Sequence, residues 1–154
     1  MNPRSFFLSA LIAGAVIGVL GNLPVLNLIN CIFCIWVWVG GIFSVYLYQR
    51  FQHGGPGLSG AQGAGLGAVA GIIGALVGVV VYALTSFISA PIFESLLSAF
   101  QVQGDLPFQS SGPWGMVVSA FFFLTVDAIL YPIFGAIGGL IAASVFWKQA
   151  KAEV

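Results

Sequence analysis

Hydrophobic residues in this chain fall into four long runs separated by short polar breaks, at about residues 5–20, 28–48, 59–89 and 114–147. A run of about 20 apolar residues is long enough to cross roughly 30 Å of hydrocarbon as a helix. The pattern predicts an all-α fold: four transmembrane helices at about 5–21, 28–49, 59–89 and 114–147, in one domain over 1–154. Between the third and fourth runs, Ile92, Phe93, Leu96, Leu97 and Phe100 fall on one helical face and Glu94, Ser95, Ser98 and Gln101 on the other. That sidedness predicts a short interfacial amphipathic helix at about 91–101, set off from the third helix by Pro91.

The breaks are made of turn residues. Pro24 lacks an amide hydrogen and pushes Leu23 out of the helical region, which predicts a turn over residues 22–27. Gln52-His53-Gly54-Gly55-Pro56-Gly57 forms a polar link, and residues 102–113 a polar loop with Asp105. The fourth run is too long for one upright crossing at about 1.5 Å per residue. Pro132 lies inside it, so tilt, a kink or a protruding end must absorb the excess.

Small residues recur at helical spacing on the first, third and fourth runs. Ala10, Gly14, Gly18 and Gly21 form one stripe. Gly63, Gly67 and Gly71 form a second, continued by Gly74 and Gly78, and Gly135 and Gly139 a third. In water each such glycine costs about 1 kcal/mol against alanine. In lipid it lets another helix backbone approach closely, as in a glycine zipper. Because the stripes occupy more faces than one four-helix core requires, they predict a homo-oligomer or association with other membrane subunits.

Composition sharpens the class. Hydrophobic residues make up 60% of the chain and charged ones 5%, against about a quarter charged in soluble domains. Lipid is therefore the predicted solvent for most of the surface. With zero net charge and no basic run, nucleic-acid binding has no electrostatic footing. The first run behind Arg4 also fits a signal peptide, but its small-residue stripe favours a retained helix. Four crossings put Arg4, Arg50, Lys148 and Lys151 on one side and Glu94 and Asp105 on the other. The positive-inside rule then places both termini on the cytoplasmic side of a membrane, read as the prokaryotic inner membrane.

Candidate chemistry is sparse. Asn27, Asn30, Cys31 and Cys34 share one face of the second helix with Trp38 and Gly41. Amides in a membrane need partners, so this face is expected to turn inward and to hold helices one and two together. Cys31-x-x-Cys34 near a helix N-terminus also suits a thiol redox pair. It leaves a metal site incomplete, because two thiolates are too few and His53 falls on the other membrane side. Asp127 is the one acid inside an apolar run, which makes it a candidate proton or cation site. Its weight depends on whether it sits at the outer interface or nearer the midplane. Thr125, Tyr131 and the carbonyl released by Pro132 are its candidate partners. No hydrolase elbow, phosphate loop or zinc-protease motif is present, so neither an enzymatic activity nor a cofactor is expected.

The segment Leu23-Pro24-x-Leu26-Asn27-x-x-Asn30-Cys31-x-x-Cys34, with Trp38, Gly40-Gly41, Tyr46, Tyr48 and the glycine-rich third run, resembles a group of small prokaryotic four-helix membrane proteins of unknown function. The resemblance covers about residues 10–85. It implies the same topology and no particular activity. The expectation is a non-enzymatic integral membrane protein packing through glycine faces. The alternatives are a proton or cation channel or carrier using Asp127, and a thiol redox protein using Cys31 and Cys34.

Overall fold

The structure is a computed structural model that describes residues 2–23, 35–52, 57–99 and 113–152. Four helices account for nearly all of them: α1 (Pro3–Gly21), α2 (Ile35–Phe51), α3 (Gly60–Ala99) and α4 (Pro113–Ala152). No strand occurs among the described residues.

Local sequence explains the helix ends. Asn2 caps α1, its side chain accepting from the Arg4 N–H, and Pro3 follows where a missing amide hydrogen costs nothing. At the other end the Asn22 side chain donates to the Gly18 carbonyl at 2.9 Å, satisfying one of the last open acceptors. Ser59 and Gln62 open α3 with a reciprocal pair: the Ser59 N–H donates to Gln62 Oε1 and the Gln62 N–H to Ser59 Oγ, at 3.0 and 3.3 Å.

Two prolines behave differently from a simple breaking rule. The expected interfacial helix at 91–101 does not exist as a separate element, because α3 runs without interruption through Pro91 to Ala99. The α4 helix likewise carries Pro132 in its interior and stays continuous. A proline in a helix removes one hydrogen bond and bends the rod, but in a membrane the hydrogen bonds on either side have no water to compete with them. At about 1.5 Å per residue, α3 and α4, of 40 residues each, are close to 60 Å long.

Among the described residues three helices are long and apolar enough to cross a membrane: Pro3–Gly21, Gly60–Thr85 and Leu124–Val145. The described part of the expected second crossing, Ile35–Phe51, has 17 residues. The earlier part of that predicted helix lies outside the described residues.

The helices form a bundle in which α2 and α3 each touch all the others, while α1 and α4 occupy the far diagonal. Sidedness is inverted relative to a water-soluble bundle. The interior holds Ala10, Ala13, Ala70, Ala75, Ala142 and Ala143 with the serines Ser9 and Ser44, and between them the larger Ile17, Val37, Val45, Leu66 and Tyr131. Large apolar side chains point out: Leu84 is 73% exposed, Phe121 70% and Phe7 64%. Such a surface has no stable contact with water and is matched to lipid tails.

Candidate functional site: the glycine seams and Asp127

The glycines predicted as packing sites bring backbones together. Against α1, a Cβ added at Gly14 meets the Ala70 carbonyl at 2.6 Å, and one at Gly18 meets the Gly74 carbonyl at 2.7 Å. Gly78 faces the Asn22 amide at the same seam. Both numbers rise together along this contact, so α1 and α3 run parallel. Against α4 the numbers run oppositely: Gly63 faces Gly139 and Ala143, Gly67 faces Gly135, and Gly71 faces the Tyr131 carbonyl and the Pro132 nitrogen. Gly71 thus leaves room where α4 passes with its proline, which explains how Pro132 is accommodated without a break.

Sequence reasoning missed a third seam, between α2 and α4. A Cβ at Gly41 meets the Gly135 carbonyl, and one at Gly138 meets the Trp38 carbonyl. Gly40 receives the side chain of Ile17 from α1. The doublets Gly40-Gly41 and Gly138-Gly139 were the available signal: adjacent glycines free two faces of one helix at once. Nearly every described glycine is used in this way inside a single chain. Gly65 is different, with open space where its Cβ would stand.

The Asn–Cys face of the second helix is described only from Ile35 onward. Asn27, Asn30, Cys31 and Cys34 lie outside the described residues, and so does His53. The continuation of that face does turn inward, but it packs against α4 rather than α1. Trp38 stacks on Phe134 with ring centroids 5.8 Å apart, and Gly41 sits on Gly135. Among the described residues the buried Trp38 indole N–H finds no hydrogen-bond acceptor. Helices one and two meet elsewhere, through Ile17 on Gly40 and at their ends, where the Tyr48 hydroxyl accepts from the Asn2 N–H at 3.3 Å and from Gln52 Nε2 at 3.1 Å.

Asp127 stands inside the Leu124–Val145 span. The α3–α4 register, with Gly67 opposite Gly135 and Gly71 opposite Tyr131, carries Asp127 to the level of Ala75. Ala75 lies near the middle of the Gly60–Thr85 span and one residue past Gly74, which meets Gly18 in the last turn of α1. The acid therefore stands about one helical turn from the level of the end of α1. It is half-buried, and at helical spacing it continues the face of Tyr131, Phe134 and Gly138 that looks toward α2. Thr125 is not its partner. That hydroxyl donates to the Phe121 carbonyl at 2.8 Å, closing its bond within the helix. Ser9, Ser44 and Ser144 do the same, so these hydroxyls donate within their own helices.

The basic residues gather at the opposite end. Arg4 begins α1 and Arg50 ends α2, and the Tyr48 hydroxyl joins those two helix ends. Lys148 and Lys151 lie in the last turns of α4, beyond the Gly139 and Ala143 that pack on the start of α3. The described residues contain no group of His, Cys, Asp or Glu able to hold a metal ion. Comparison of the chain with protein families, with curated proteins and with solved structures finds no match.

Proposed function

We propose that this protein is a non-enzymatic integral membrane subunit that crosses the bilayer four times and works by association with other membrane proteins. The observation that carries the reading is the sidedness of the bundle: many glycines, alanines and serines inside beside a few larger residues, and Phe7, Leu76, Leu84 and Phe121 outside. In this reading residues outside the described segments complete the second crossing, and the basic end with both termini faces the cytoplasm of a prokaryotic cell. All Lys and Arg residues at one end of the bundle support that orientation.

The glycine seams build the protomer, so association uses the large apolar outer faces instead. A rigid, small-residue core with lipid-facing aliphatic walls suits an accessory or scaffolding role better than a solvent-filled path. The test has two parts. Alkaline extraction of membranes should leave the protein in the pellet, and cysteine labelling should reach both termini only from the cytoplasmic side. Cross-linking in native membranes should then trap the protein with a partner. A chain that stays monomeric and uncross-linked in its own membrane would overturn the subunit reading.

A further inference from the structure

We draw no further inference here: the strongest candidate, the face of α4 around Asp127 that turns toward α2, carries nothing because the residues before Ile35 on that side lie outside the described residues.

Discussion

The two sides of α3 use the same residue types for opposite ends. On the inner side Gly63, Gly67 and Gly71 lie against the α4 backbone, and a methyl group at any of them meets a main-chain atom. On the outer side Gly65, with exposed Ile72, Leu76 and Val80, looks into open space. A glycine on the inner side is a contact in itself. One on the outer side contributes only backbone freedom. The comparison shows why counting glycines overestimates interfaces: what matters is whether the missing Cβ is replaced by another helix.

That contrast can be attacked directly. The largest effect is expected for Gly67→Leu, whose side chain cannot share the space of the Gly135 carbonyl. It should prevent α3 and α4 from docking, measured as loss of the folded form in detergent-denaturant titration. The smaller Gly67→Ala forces a backbone shift of the kind that costs about 1–3 kcal/mol, and the same titration should show it. A neutral Gly67→Ala would mean that the seam is looser than described. Trp38→Phe probes the α2–α4 seam more gently. It keeps a ring against Phe134 and removes a buried N–H that is unpaired among the described residues, so stability should be unchanged or rise by about 1 kcal/mol. Ser44→Ala removes a hydroxyl bonded only to Gly41 of its own helix, and a loss of no more than about 0.6 kcal/mol is expected. Gly65→Ala should be the mildest of all, neutral or slightly stabilising by helix propensity, at most about 1 kcal/mol. A large loss at Gly65 would reveal a neighbour on the outer face and reverse the comparison.

The glycine stripes of α1, α3 and α4 were legible before any coordinates, because spacing of three and four on an apolar helix identifies a close-packing face whatever the partner. Which helix fills each stripe was not legible. The surplus of small faces looked like a requirement for oligomers, whereas α3 meets both α1 and α4 and so uses two of its own faces within one chain. The Asn–Cys face is expected to point inward toward α1; Asn27, Asn30, Cys31 and Cys34 lie outside the described residues, and the continuation of that face packs on α4 through Trp38 and Gly41. Helix neighbours in a bundle depend on rotation about the axis, which a sequence period does not reveal. Pro91 also misled. From sequence it marks the end of the third helix or a kink in it, yet a helix already held in place can lose one hydrogen bond and continue.

By itself the sequence determined the solvent, the helical class and the gathering of positive charge near particular helix ends. These follow from composition and local periodicity, which act residue by residue. Only the tertiary structure decided that α1 runs parallel to α3, that Gly71 accommodates Pro132, and that Asp127 stands at the level of Ala75. Depth and facing are properties of register between helices. Register is set by where backbones can touch, which is a relation between distant glycines rather than a property of any one stretch of the chain.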